Sequence, residues 1–170
     1  QGNGDEAVFT NTNLQYIPPC LRETATIIEK AKNNSLPILI LPADVKAIIH
    51  SHSNWSDGAN TVEEMAKECI SKGFEYLVLS DHSKTAVYAK GLTEERIREQ
   101  HRYIDELNTK LAPFKIFKSI ESDILNDGSL DYTDDVLASF DLVIASVHSN
   151  LKMSEEKAMA RLIKAITNPY

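Results

Sequence analysis

Cysteine is scarce in this chain: Cys20 and Cys69 are the only two, far apart and outside any Cys-x-x-Cys pattern. A disulfide framework is therefore excluded, and a reducing, cytoplasmic setting is expected. Long apolar runs are missing too. No stretch is long and apolar enough to span a membrane, and none reads as a signal peptide. Positive charge is in short supply, with 18 Lys and Arg against 25 Asp and Glu for a net charge of −7. Such a chain does not draw nucleic acid by bulk electrostatics, so a nucleic-acid substrate would have to be held by metal or supplied by another domain. An acidic balance does suit a site that gathers divalent cations. The first 45 residues lack convincing hydrophobic alternation and hold four of the six prolines.

What remains is ordinary for a globular protein: 42% hydrophobic and 25% charged residues over 170 positions, enough for one domain with a real core. Residues 1–45 read as a lead-in segment packed on the outside of that domain. Within them Tyr16-Ile17-Pro18-Pro19 is extended, and Leu21–Lys32 forms a helix carrying Ile27, Ile28 and Ala31 inward. From residue 46 a strand–helix repeat begins. Lys46–His50 is a first strand. Thr61 caps a helix to about Lys72, with Glu64 completing a capping box. That helix buries Val62, Met65, Ala66, Cys69 and Ile70, and Gly73 stops it. Tyr76–Ser80 is a continuous apolar strand of the kind buried on both faces of a parallel sheet. Thr93 caps the next helix without a capping box, because Arg96 holds the third position. Its inward stripe is Ile97, Ile104, Leu107 and Leu111. Phe114–Ile120 is a third strand, Thr133–Ser139 a short helix, and Leu142–Val147 a fourth strand. Ser154 caps a last helix to about Ile166.

Four of the five histidines, His50, His52, His82 and His148, sit just after apolar runs, and Glu121 has the same setting. In a parallel β/α fold those positions meet at the carboxyl rim of the sheet. The alternation of a strand points His50 and His52 the same way, and Asp57 returns from the following loop as an oxygen donor. Imidazole with carboxylate suits zinc, manganese or iron. Each residue alone has a plain reading: a strand-end histidine, a loop cap, a solvated carboxylate. One geometric hypothesis, a shared metal site, accounts for all of them. His101, mid-helix among charges, is expected to face solvent.

The ordered motifs His50-Ser51-His52, Ser56-Asp57-Gly58, Ser80-Asp81-His82-Ser83, Ile120-Glu121-Ser122-Asp123 and Ser146-Val147-His148-Ser149 resemble those of the PHP (polymerase and histidinol phosphatase) domain. The finer match is to the PHP domain at the carboxyl end of bacterial family X DNA polymerases. It rests on Trp55-Ser56-Asp57-Gly58-Ala59-Asn60-Thr61, on Asp81-His82-Ser83-Lys84, on Gly91-Leu92 and on Asp123 to Asp131. Tyr16-Ile17-Pro18-Pro19-Cys20-Leu21-Arg22-Glu23 resembles the segment joining polymerase and PHP domains. The resemblance thus divides the chain into a connection, 1–45, and the amino-terminal part of a PHP domain, 46–170.

The resemblance implies a distorted, seven-stranded, TIM-like β/α barrel, here partial, with its last strands lacking. It implies up to three divalent ions (Mn, Zn or Fe). His50, His52 and Glu121 would hold one, Glu121 and His148 a second, and Asp57 and His82 a third. The family's further His and later Asp-x-His do not occur before Tyr170, so the chain reads as a fragment whose open sheet edge invites self-association. The implied activity is a metal-dependent phosphoesterase in which a metal-activated hydroxide, not a side chain, attacks phosphorus. The polymerase-like version implies a 3′→5′ exonuclease or DNA-end repair module, acting on single-stranded or gapped 3′ ends through a parent polymerase. Lys84 is the candidate phosphate contact, weighed evenly against a solvated loop lysine. The alternatives are a histidinol-phosphatase-like enzyme and a non-catalytic structural module.

Overall fold

The computed structural model describes residues 4–170, which fall into two units, one ending at Asp44 and the other spanning Val45–Tyr170. The first unit holds α1 (Glu6–Asn11), a 3₁₀ turn at Pro19–Leu21, α2 (Thr26–Lys32) and a second 3₁₀ turn at Pro42–Asp44. Its small core is Ile17, Ile27 and Ala31, flanked by Phe9, Leu21 and Leu36. Arg22 fastens it: Nε donates to the Ile17 carbonyl at 2.9 Å and the guanidinium lies 5.2 Å from the centre of the Phe9 ring. The helix is shorter than the expected Leu21–Lys32, and Ile28 is 44% exposed. Two turns bury a single i, i+4 stripe, and Ile27 and Ala31 occupy it.

The second unit alternates strand and helix: β1 (Ala47–Ser51), α3 (Val62–Ser71), β2 (Tyr76–His82), α4 (Glu94–Lys110), β3 (Lys115–Asp123), α5 (Asp134–Leu137), β4 (Leu142–Ser146) and α6 (Glu155–Ile166). The four strands pair in parallel in the order β1-β2-β3-β4 and curl as a half-barrel. The two central strands are mostly buried, whereas β1 and β4 are largely open. Burial on both faces needs neighbours on both sides, which the central strands alone have.

Helix ends follow local chemistry. Thr61 accepts from Glu64 N–H at 3.2 Å while the Glu64 carboxylate accepts from Thr61 N–H at 2.8 Å, the reciprocal capping box. Thr93 and Ser154 cap α4 and α6 through the N–H groups of Arg96 and Lys157, each at 3.4 Å. Gly73, at φ +79°, turns the chain out of α3.

The inner stripes of α3 and α4 (Val62, Ala66, Cys69, Ile104 and Leu107) pack on Leu77, Leu79 and Ile116. Each fully buried aliphatic side chain contributes roughly 1.5–3 kcal/mol. Ile70 departs from expectation at 42% exposure, because it lies one residue past the Ala66–Cys69 stripe.

The central strands outrun their apolar stretches. β2 continues through Asp81 and His82, and β3 through Glu121 to Asp123. The polar residues of these extensions are buried but bonded. Ser80 donates to Ser119 across the strands at 3.0 Å, and Asp123 N–H donates to the Ser83 hydroxyl at 2.9 Å. Ladder pairing therefore carries the chain to the rim and sets His82 directly opposite Glu121.

Candidate metal centre

All six residues singled out as metal donors converge at that rim, and Glu121 is their hub. Its side chain is 7% exposed and meets four imidazoles. His50 Nε2 and His148 Nε2 each lie 3.3 Å from Oε1; His82 Nδ1 lies 3.1 Å and His52 Nε2 3.4 Å from Oε2. Asp57 joins from the loop, 3.5 Å from His52 Nδ1 and 3.7 Å from His82 Nε2. The donors form three overlapping groups able to hold an ion: His50, His52 and Glu121; His52, Asp57 and His82; His82, Glu121 and His148.

The His50–His52 pair does not arise by plain strand alternation. The β1–β2 register slips between Ile49 and Ser51, and His50 lies at φ +64°. A bulge in the left-handed region turns the His50 ring inward, where it comes within 5.5 Å of His52. Such a conformation in a non-glycine residue costs on the order of 1–3 kcal/mol and collects at functional sites.

The loop that returns Asp57 is held from below by Asp81. This fully buried carboxylate accepts from Ser53 N–H and Ser53 Oγ at 2.7 Å, from Ser56 Oγ at 2.6 Å, and from Gln100 Nε2 at 2.7 Å. Gly58 closes the same loop by donating to the Ser53 carbonyl at 2.9 Å, and a Cβ there would stand 2.2 Å from the His52 carbonyl oxygen. Asp123 supports the other side: it accepts from His148 Nδ1, which leaves Nε2 facing Glu121. Asp81 and Asp123 have no assigned role in the sequence reading, although both sit inside its motifs. The signal available was an acidic neighbour on a buried strand end, where a charge needs partners.

Electrostatics reinforce the convergence. Burial raises the Glu121 carboxyl, but the His50 hydrogen bond and the positive charges of His82, His148 and His50 outweigh it and hold it below the ordinary range. Burial, then the charge of His82, pushes the His52 imidazole down. Burial lowers His148 as well, yet its hydrogen bond and charge pairing with Asp123 and the charge of Glu121 leave it raised.

Nδ1 of His52 and Nδ1 of His82 are buried without a hydrogen-bond partner, despite the carboxylate oxygens nearby. Orphaned ring nitrogens and carboxylate oxygens gathered around common points fit a divalent ion with nitrogen and oxygen ligands.

Two other side chains bear on the sequence expectations. The Lys84 ammonium lies 5.1 Å from the centre of the Tyr132 ring and 3.6 Å from Glu94, and none of its described contacts is to the cluster. His101 does not face solvent. Its ring stands edge-on to Phe140, 4.8 Å between centroids, and its Nε2 is buried and unpartnered. Burial, then the charge of Lys118, takes it down to about 4. Tyr88 was not singled out, yet the residue is 74% exposed and its ring centre lies 6.2 Å from that of His82, beside the cluster.

Comparison with known proteins bears on this geometry. The chain is 44% identical over 162 residues to the DNA polymerase/3′-5′ exonuclease PolX of Bacillus subtilis, covering 95% of this chain and 28% of that protein. It is 33% identical over 129 residues to a probable phosphatase of Acetivibrio thermocellus, covering 71% of this chain and 49% of that protein. A probable phosphatase of Caldanaerobacter subterraneus is 30% identical over 130 residues, covering 71% and 47%. The chain thus spans under a third of the polymerase and about half of the phosphatases. The PHP domain model matches residues 49–169, the stretch that carries β1 to α6 and, but for β1's first two residues, every element around the cluster. With these matches the chain belongs to the PHP domain family.

Proposed function

We propose that this chain is the metal-dependent phosphoesterase module of a family X DNA polymerase, acting as a 3′→5′ exonuclease in DNA-end processing in the cytoplasm. The observation that carries the reading is the carboxylate of Glu121 ringed by four imidazoles with Asp57 beside them. His50, His52, Asp57, His82, Glu121 and His148 would hold up to three ions, with Mn, Zn or Fe matching the donor types. Bound divalent ions supply Lewis-acid polarisation of a phosphoryl oxygen and make water nucleophilic at neutral pH. The chain's own part is to aim donors. Glu121 spans the first and third groups, Asp123 keeps the His148 Nδ1 proton away from the cluster, and Asp81 keeps Asp57 within reach. The similarity to the polymerase over 95% of the chain supports a polynucleotide substrate. The probable phosphatases support a second reading, hydrolysis of a small phosphate monoester.

The test is incubation with Mn²⁺ and a 5′-labelled single-stranded oligonucleotide, with histidinol phosphate in parallel and Glu121→Gln as control. Stepwise loss from the 3′ end, absent in the variant, is the expected result. Phosphate release from histidinol phosphate alone would move the protein to the small-molecule reading. Turnover of neither, with metal bound, would leave a structural module.

A further inference from the structure

Beyond the cluster, the rim carries a basic groove that the catalytic reading does not use. It has a volume of about 590 Å³ and is lined by Asn126, Asp127, Asn150, Lys152, Lys157 and Lys164, with Arg161 at its base. The stretch Asn150–Lys164 holds four basic residues against two acidic ones, in a chain whose net charge is −7. Two of the cations are already committed. Lys164 pairs with Asp127 at 2.8 Å, and buried Arg161 is spent on the backbone carbonyls of Ile124, Leu125 and Ser149. Lys152 and Lys157 are exposed and have no ion-pair partner among the described residues. Two unpaired ammonium groups in one concavity of an acidic protein attract an anion, and a pair of them suits one that carries more than one phosphate.

The groove adjoins the cluster. Asn150 follows His148 by two residues, which keeps their Cα atoms within about 7.6 Å. Asn150 is tied at 2.6 Å to Asn126, three residues past Asp123. On the other flank His148 lies 5.3 Å from His82, and His82 lies 6.2 Å from the exposed ring of Tyr88. An exposed aromatic ring and a basic groove thus each adjoin the cluster of metal donors. Polynucleotides use such surfaces, with bases stacking on aromatics while phosphates follow cations.

We infer that the groove of Lys152 and Lys157 holds the phosphodiester backbone of a single-stranded polynucleotide whose end lies over the cluster. This rests on the phosphoesterase reading and adds to it the residues that would hold the strand, because a small monoester would leave the groove unused.

The test measures binding apart from turnover. Fluorescence anisotropy with a labelled oligothymidylate, in EDTA and over a salt series, compares the 170-residue wild type with Lys152→Ala/Lys157→Ala. The control is Lys67→Ala/Lys110→Ala, which removes the same charge from lysines paired with Glu63. The expected result is a Kd raised about tenfold at low salt, with a log–log salt slope shallower by about 1.4 for two lost phosphate contacts. The control should bind as wild type. Equal binding by the groove variant, or an equal loss in the control, would overturn the inference. If the wild type shortens oligonucleotides and the groove variant binds them normally, the groove fails while the exonuclease reading stands. Wild type that fails to bind the oligonucleotide yet releases phosphate from a monoester would overturn both.

Discussion

Asp123 determines which nitrogen His148 presents. With Nδ1–H donated to that carboxylate, Nε2 faces Glu121, also 3.3 Å from the Ser146 hydroxyl, and carries the lone pair an ion would need. Asp123→Asn is expected to weaken Mn²⁺ binding about 10- to 100-fold, because the amide no longer stabilises the required tautomer. Isothermal titration measures this, and unchanged affinity would refute the orienting role. His101 makes a separate claim. It is held near 4 in the fold against an ordinary 6.5, first by burial and then by Lys118. Below pH 6.5 the unfolded chain therefore binds a proton that the folded chain refuses, and stability falls as pH drops. The loss accumulates between about 6.5 and 4 and, discounted for the part of the ring that water still reaches, amounts to about 1–2 kcal/mol. His101→Gln should flatten that part of the stability–pH curve in urea titrations at pH 7, 6, 5 and 4; an unaltered slope would show that other groups cause it.

At the scale of elements, Arg161 ties α6 to the segments that follow β3 and β4. Arg161 is 4% exposed and donates to carbonyls of two segments, the stretch after β3 that follows Asp123 and the one after β4 that follows His148. Losing the guanidinium would take a donor from the carbonyl of buried Ile124 and from those of Leu125, which also accepts from Gly128 N–H, and Ser149. Arg161→Ala is expected to destabilise the fold by about 3 kcal/mol. Arg161→Lys should recover little of it, since a single ammonium cannot reproduce the planar fork. Denaturant midpoints for the two variants check this, and a lysine variant as stable as wild type would argue against the fork. The bulge in β1 and the long β2 and β3 strands belong to the same scale, for they carry His50, His82 and Glu121 to one place.

For the whole molecule, the metal ties folding to the site. An ion that binds only the folded chain adds about 2.7 kcal/mol at a hundred times its Kd. Mn²⁺ should therefore raise Tm, EDTA should reverse the rise, and Glu121→Gln, which spares only the group of His52, Asp57 and His82, should diminish it. Because ligation needs neutral imidazoles and His148 is raised, the metal-induced rise should shrink as pH falls below neutrality. A second expectation concerns the sheet edges. Among the described residues neither β1 nor β4 has an outer strand partner, and Ile48, Ile49 and Leu142 are exposed there. Concentration-dependent association in sedimentation velocity is expected, reduced by Ile49→Lys; a monomer at every concentration would dismiss it. No helix among the described residues is long and apolar enough to cross a membrane.

Much of this was legible in the chain itself. Apolar runs ending in His or Glu located the strands and their carboxyl ends, and Thr61, Thr93 and Ser154 located the helix starts, because these are local signals of pattern and hydrogen bonding. The ordered motifs identified the six candidate donors. Other features needed the tertiary structure. Whether His101 faced water depended on Phe140, far along the chain. The aim of His50 depended on a bulge set by pairing with β2. The tasks of Asp81, Asp123 and Arg161 depended on partners that sequence distance hides. Periodicity reports which residues share a face; only packing decides which faces meet, and with them which charges find a partner.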